Sequence, residues 1–248
     1  MLTSQSDSLV SDFFERQAFG WVDRYQTPSY QQRRELLTKI LGKEVLRLNR
    51  QASTIKLLDF GCGSGVLLGV AAGLGLQVTG VDSSKAMIEA ALQQASRFGR
   101  QVSLECLHSD SGKGDYEREC YDIVLCLSVL EFVPVISSLL FRLCARVNKG
   151  GILVLSVPNR QSWLRAIEHF VYRHPQKFRQ FSSLDHLTGS NSYLNYQAHQ
   201  FTRKQLSGMV QQNGLREEAH RFHAAPALFR SIDHLAPVGM MLMMIFRK

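Results

Sequence analysis

The sequence predicts an α/β fold: a mostly parallel sheet with helices on both faces. Two observations predict it. Short continuous apolar runs, residues 55–60 and 152–157 among them, alternate with longer stretches whose apolar residues recur every three or four positions. The first of these runs ends in a glycine cluster from which a helical stretch departs. Strands buried on both faces read as continuous apolar runs, and strands alternating with helices build a parallel sheet.

The elements follow in order. Phe13, Phe14, Phe19, Trp21 and Tyr25 mark a short aromatic-rich helix that stops near Thr27-Pro28. Leu36, Leu37, Ile40, Leu41, Val45 and Leu48 then share one face of a helix starting near Ser29. Strand one is 55–60, followed by a helix over 66–74, strand two over 77–81 and a helix over 85–98 made of good formers. Residues 102–107 and 123–127 are strands three and four. Pro134 suits the first turn of a helix running to about Val147. Asn148-Lys149-Gly150-Gly151 reads as a turn before strand five, 152–157. After Pro158 the rhythm breaks for about forty residues. It resumes at Thr202, the N-cap of a helix over 203–213 that Gly214 ends. Residues 215–222 and 239–246 are the final strands.

Composition bounds the class. The 248 residues are 45% hydrophobic and 20% charged, a globular composition with room for a full core. No apolar run approaches the ~20 residues of a spanning helix; 238–246 comes nearest and ends against Arg247-Lys248. The start of the chain has no basic segment followed by an apolar one and lacks early arginines, which argues against a secretory signal or transit peptide. The five cysteines form no C-x-x-C pair and mostly sit in apolar runs, as reduced thiols of a cytoplasmic protein do. No His/Asp cluster has ligand spacing, so no metal is expected. The net charge of +8 is uneven: residues 1–150 hold 17 basic and 16 acidic side chains, residues 151–248 hold 12 and 5.

The segment Leu57-Leu58-Asp59-Phe60-Gly61-Cys62-Gly63-Ser64-Gly65-Val66 carries the most chemistry. Glycines between a strand and a helix permit positive φ and let a ligand touch the backbone, and amides at the helix start face that ligand. Asp82 ends the next strand, 21 residues after Gly61, where a carboxylate accepts hydrogen bonds from two ribose hydroxyls. A dinucleotide fingerprint would be G-x-G-x-x-G, but position 66 is valine. Asp59 would repel phosphates and suits a cation. The expected ligand is adenosine-like, with ribose hydroxyls, a positive centre and no phosphates. S-adenosylmethionine has that chemistry.

Segment 57–65, with Asp82, resembles motif I and the ribose acid of class I S-adenosylmethionine-dependent methyltransferases. Leu107-His108-Ser109-Asp110, residues 121–131 and residues 148–151 are similar to later stretches of the same family. The resemblance is close over 55–157 and loose over 201–248. It implies a Rossmann-like class I methyltransferase fold, a mostly parallel seven-stranded sheet with an antiparallel last strand. It divides the chain into an N-terminal helical cap (1–50), a cofactor-binding core (51–157), a basic aromatic lid insert (158–200) and the end of the core (201–248). It also implies roles. Gly61, Cys62, Gly63 and Gly65 cradle the methionine part, and Asp59 orients its amino group. Asp82 holds the ribose, with Ser83 and Met87 beside the adenine. Asp110 and Ser111 meet the adenine edge, and Leu127 and Ser128 line the methionine side.

Residues 156–164 and 199–202 are similar to the corresponding stretches of the ubiquinone- and menaquinone-biosynthesis O-methyltransferases. Those enzymes carry a histidine after the glutamate that corresponds to Glu131; here Phe132 stands there, as a pocket wall or core residue. Phe132, Asn159, Arg160, Trp163 and Tyr196 are expected around the substrate pocket, with Trp21 and Tyr25 as caps from the N-terminal helices. Residues 160–204 carry seven Lys/Arg against two acids, and Trp163, Leu164, Ile167, Phe170 and Val171 form an apolar helical stripe. Three readings of that stripe stay open: a lid packed on the core, a lid closing on an anionic or aromatic substrate, and a surface that touches an anionic membrane.

Methyl transfer needs an oriented nucleophile and exclusion of water more than a strong base. A hydroxyl acceptor still gains from a histidine with a pKa near 7. His199 is the first candidate, His186 and His169 follow, and Tyr193 and Tyr196 are placed to orient the acceptor. The expected function is O-methylation of a small aromatic, anionic or lipid-like metabolite in the cytoplasm or at a membrane surface. Methylation of RNA is an alternative suggested by the basic half, but an Asn/Asp-Pro-Pro-aromatic motif, a Pro-Cys nucleophile and an RNA-binding module are missing. A non-catalytic cofactor-binding protein is a further alternative, against which the intact glycine turn argues.

Overall fold

A computed structural model describes residues 9–18, 26–107, 114–181, 184–188 and 192–248, without the side chains of residues 100, 185 and 186. Its strands are β1 (Lys56–Phe60), β2 (Gln77–Asp82), β3 (Val102–Cys106), β4 (Tyr121–Leu127), β5 (Val147–Pro158), β6 (Arg216–His223) and β7 (Met241–Arg247). Among the described residues they form one sheet of seven strands in the order β3-β2-β1-β4-β5-β7-β6. β1 to β5 pair in parallel, and β7 runs antiparallel to both β5 and β6. That is the predicted sheet, antiparallel last strand included.

The helices are α1 (9–18), α2 (Pro28–Leu48), α3 (Leu68–Gly73), α4 (Lys85–Ala95), α5 (Ile136–Arg146), α6 (Trp163–Arg173), α7 (Pro175–Phe178), α8 (Asp185–Thr188) and α9 (Arg203–Gln211). Successive side chains of a strand point to opposite faces, and the two cores follow that alternation. Leu57, Leu125, Val154 and Met243 meet Leu37 and Leu41 of α2 on one face. Leu58, Val124, Leu155 and Met244 meet Leu140 of α5 and Leu206 of α9 on the other. All seven residues of β4, the central strand, are buried.

Three expectations change. Pro134 lies outside α5, which starts at Ile136 with Val135 as its N-cap at φ −115° and ψ 81°. Asn148 to Gly151 do not form a free turn but belong to β5, whose register against β4 slips between Tyr121 and Ile123. Gly150 absorbs the slip at φ +78°, and a Cβ on Gly151 would stand 2.6 Å from the Asp122 carbonyl oxygen. The helix after β2 stops at Ala95, and Gly99 at φ +57° breaks the turn that follows. Thr202 caps α9 as expected, and Gln205 completes a capping box.

The insert shows the largest departure. The α6 stripe of Trp163, Ile167 and Phe170 faces outward, 41%, 51% and 49% exposed. Arg165 and Val171 are buried instead. A closed polar set makes that orientation possible. Arg165 donates to Glu168 at 2.9 Å, to the Tyr193 hydroxyl at 2.6 Å and to the Met240 carbonyl at 3.1 Å. The reading of a stripe packed on the core is therefore wrong for these three residues.

At the amino edge of the sheet, Glu44 of α2 pairs with Arg47 at 2.7 Å and Arg247 at 3.0 Å. Burial alone would raise the Glu44 carboxyl, but the two guanidiniums outweigh it and hold the group below its ordinary 4.5. A depressed carboxyl stabilises the fold above the unfolded-chain pKa, and that contribution is lost as pH falls through the folded value. Glu44→Gln is expected to lower the urea midpoint at pH 7, with the difference from the wild type shrinking as pH falls below the ordinary carboxyl value. Urea unfolding at a series of pH values checks this.

Candidate functional site

The site forms where β1, β4, β5 and β6 end, on the face covered by α2. After β1 the chain turns through Gly61 (φ +77°), Gly63 (φ +54°) and Gly65 (φ +79°). The amides of Gly61 and Cys62 both donate to the Val81 carbonyl, at 2.8 and 3.0 Å, so the turn is hung on β2. A Cβ on Gly61 would stand 2.2 Å from Val129 Cγ2, and one on Gly65 2.9 Å from the Ala91 Cβ. Only glycine fits at either position. Asp82 accepts from the Gly63 amide at 2.8 Å and the Ser84 amide at 3.0 Å, which holds its carboxylate against the turn.

Asp59, 2% exposed, projects from β1 beneath α2. Burial pushes its carboxyl up to about 7, with Arg33 pulling it down and Asp82 pushing it up further. Arg33 is the carboxyl-edge end of the same buried α2 stripe as Leu37, Leu41 and Glu44. It is 7% exposed, its Nε has no partner, and among the described residues it makes no ion pair. Its guanidinium carbon lies 5.9 Å from the Tyr30 ring centroid, and it acts electrostatically on the buried carboxyls of Asp59 and Glu131. Register puts further polar side chains on the same face. Leu127 pairs with Ser156, Ser156 with Met243, and Met241 with His223. Ser156 and His223 are 0% exposed, and neither the Ser156 hydroxyl nor either His223 ring nitrogen has a partner.

Helix α1 closes the site from the N-terminal side. Glu15 accepts from the Lys85 and Ala86 amides at 2.5 and 3.1 Å, the start of α4. Phe13 lies on Tyr196 with ring centroids 4.6 Å apart, and Phe14 meets Phe132 edge-on at 5.3 Å. One helix thus touches both the β2–α4 connection and the aromatic wall beyond β4.

The predicted residues divide. Asp59, Gly61, Cys62, Gly63, Gly65, Asp82, Leu127 and Ser128 converge at the glycine turn, with Ser128 at φ +58° and its amide on the Ser156 carbonyl at 2.8 Å. Ser83 is exposed beside α1, and Met87 is 1% exposed inside α4. Phe132 and Tyr196 form the aromatic wall. Asn159 is buried, but its amide serves the backbone at Ala236 and Gly239, 2.6 and 2.7 Å away. Arg160 is exposed, and Trp163 sits outside against Phe229. Arg160 precedes α6, and Trp163 faces outward because α6 presents Arg165 inward. The Tyr193 hydroxyl is committed to Arg165 and Glu168, and burial raises its phenol. His199 is half-buried with an unpartnered Nε2. Trp21, Tyr25, Asp110, Ser111 and the His186 side chain lie outside the described residues. Sequence reading missed Arg33 and His223. A charge four and eight residues before Leu37 and Leu41, on their apolar face, was the available signal for Arg33.

A family profile described as "Methyltransferase domain" matches residues 30–220, most of the chain. The chain belongs to the methyltransferase-domain family. It is 37% identical over 115 residues to the ubiquinone biosynthesis O-methyltransferase of Idiomarina loihiensis, a match covering 45% of this chain and 46% of that one. It is 40% identical over 121 residues to the mitochondrial ubiquinone biosynthesis O-methyltransferase of Schizosaccharomyces pombe, covering 47% and 43%. The match thus spans less than half the length of these curated relatives. Among solved structures, the magnesium protoporphyrin IX methyltransferase of Synechocystis, with bound SAH, aligns at TM-score 0.69 and 18% identity. That alignment covers 98% of this chain and 100% of the other. The Burkholderia thailandensis 1,6-didemethyltoxoflavin-N1-methyltransferase aligns at TM-score 0.65 and 16% identity, covering 99% and 90%. Identities this low establish the shared class I fold.

Burial holds the Asp59 carboxyl above its ordinary range. A carboxyl raised from 3.8 to about 7 in the fold loses its proton first in the unfolded chain, so stability falls as pH rises between those values. Asp59→Asn is expected to stabilise the ligand-free protein by a few kcal/mol at pH 8 and to have little effect at pH 4. Thermal melts at the two pH values check it.

Proposed function

We propose that this protein methylates a hydroxyl oxygen of a small aromatic acceptor, using S-adenosylmethionine. The observation that carries the reading is that buried Arg33 and buried Asp59 act on each other electrostatically at the glycine turn without forming an ion pair. A buried cation without a counter-ion beside a buried carboxylate is complementary to an amino-acid zwitterion, Asp59 for the ammonium and Arg33 for the carboxylate. Asp82 is held where ribose hydroxyls would be accepted, and Gly61, Gly63 and Gly65 leave the backbone open to the ligand. Cys62, Leu127 and Ser128 line the same end, and Ser83, Met87, Asp110 and Ser111 are assigned to the adenine by the family resemblance. The bound cofactor supplies a methyl group on a positively charged sulfur. The chain's own work is to hold both ligands, exclude water and place the acceptor.

The choice of oxygen and of an aromatic acceptor is supported by the relatives named as ubiquinone biosynthesis O-methyltransferases. Phe13, Phe14, Phe132 and Tyr196 supply a matching aromatic enclosure. His199 stands at the acceptor side of it. We place the protein in the cytoplasm at an anionic membrane surface. Among the described residues no helix is long and apolar enough to cross a membrane. Trp163, Ile167 and Phe170 continue through the Trp163–Phe229 contact into Leu228, Ile232 and Leu235, all exposed. Arg160, Arg173 and Lys177 flank this apolar surface. Apolar side chains rimmed by basic ones suit an anionic lipid interface.

S-adenosylmethionine or its demethylated product is expected to raise the melting temperature by several degrees. Asp82→Ala should abolish the shift, and Arg33→Met should weaken binding at least about tenfold. An unshifted wild type would overturn the reading. Transfer of labelled methyl to a panel of phenols and catechols, against RNA as comparison, reads the acceptor class. Ile167→Glu should lower co-sedimentation with phosphatidylglycerol vesicles and leave the cofactor shift unchanged.

A further inference from the structure

The turn that follows β4 holds a buried carboxylate, bonded by its own backbone amide and the Ser128 hydroxyl, with one oxygen left over. Glu131 lies in the short helical turn Leu130–Phe132, 3% exposed, and its Oε2 has no hydrogen-bond partner. Among the described residues it makes no ion pair. Two residues earlier, Val129 packs directly on Gly61, so this turn abuts the glycine turn itself. The Glu131 carbonyl anchors a second segment, accepting from the Ala198 amide at 2.8 Å and the His199 amide at 3.3 Å. That segment brings two more unpartnered buried atoms, Gln197 Oε1 and His199 Nε2. His223 adds two ring nitrogens from β6.

Unsatisfied polar groups in a core are destabilising, and this many in one place indicates a polar ligand they are arranged to receive. The set is unequal in chemistry. Gln197 and Ser156 cannot take a proton. Burial, Arg33, Arg221 and Arg165 depress the His223 imidazole to about 3, which leaves it a neutral hydrogen-bonding ring. Glu131 differs. Burial raises its carboxyl to about 7, against the pull of its own backbone amide, Arg33, Arg165 and the Ser128 hydroxyl. A base poised near neutrality is the kind that proton transfer favours.

We propose that Glu131 takes the proton of the acceptor hydroxyl, with the His199 and His223 rings holding that oxygen against it. This rests on the methyltransferase reading above. The acceptor's O–H bond breaks and its proton passes to Glu131 Oε2. The freed electron pair forms the new O–CH3 bond, and the pair of the old C–S bond stays on sulfur, which becomes neutral. The proton leaves Glu131 when the methylated product departs. Arg33 and Arg165 favour the negative charge while it resides on either oxygen.

Catechol and 4-nitrocatechol test this, the second being ionised near neutral pH without help. Glu131→Gln is expected to lower kcat/KM for catechol by about 100-fold or more and for 4-nitrocatechol by less than about tenfold. Its cofactor-induced melting shift should equal the wild type's. Equal losses for both acceptors would overturn the proposal. Should Glu131→Gln fail to fold, Glu131→Asp, with a shorter carboxylate, should show the same selectivity more weakly. A wild type that binds cofactor but neither catechol overturns this proposal alone, whereas one that binds no cofactor overturns the proposed function.

Discussion

The close approach of Gly61 and Val129 governs the rest of the site. With no Cβ at position 61, the turn leaving β4 can rest on the turn leaving β1. Any side chain there would occupy the space of a valine methyl, 2.2 Å away. That contact aligns the two strand ends, and with them Asp59 on one side and Glu131 on the other. The same glycine turn hangs on β2 through the Val81 carbonyl and on Asp82 through the Gly63 amide. Three strand ends are thereby fixed relative to one another by backbone groups, which have little freedom to relax. Ligand sites in open α/β sheets lie at such strand ends.

Helix α2 shows how the fold separates structural charge from functional charge. Its buried stripe runs Arg33, Leu37, Leu41, Glu44. The two leucines fill the core face, and each end carries a charge. At the amino edge Glu44 is answered by Arg47 and Arg247, a network that also takes in the Gly150 carbonyl. At the carboxyl edge Arg33 has no such answer. Two buried carboxyls within its field, Asp59 and Glu131, are both pushed up to about 7. The ligand-free site thus retains a guanidinium with partly protonated neighbours. Its free-energy cost falls where a zwitterion and an acceptor hydroxyl would supply the missing partners.

The insert reverses the usual amphipathic arrangement for a related reason. An apolar stripe normally turns inward because burial of a large apolar side chain contributes about 1.5–3 kcal/mol. In α6 the inward position belongs to Arg165, fully supplied by Glu168, Tyr193 and a backbone carbonyl. Trp163, Ile167 and Phe170 are left on the surface beside another exposed apolar stretch. Exposed Arg160, Arg173 and Lys177 flank that apolar surface.

Much of the fold was legible in the amino acids. Continuous apolar runs marked the buried strands, glycines between β1 and α3 marked the ligand turn, and Thr202 with Gln205 marked the start of α9. These are local signals, because the side-chain period and the backbone conformation of a few neighbours settle them. The sequence by itself thus determined the sheet, the glycine turn and the Asp59–Asp82 pair. Tertiary structure alone decided which polar groups remain without partners. Glu44 is answered by Arg47, three residues on, and by Arg247, 203 positions away, whereas Arg33 makes no ion pair among the described residues. His223 shares a face with Ser156 and Arg33 only through the pairing of β5, β7 and β6. The direction of α6 depends on Tyr193, 28 residues downstream of Arg165. Periodicity records how strongly a face is apolar, but not which distant group will satisfy a charge, and that satisfaction decided what this protein buries.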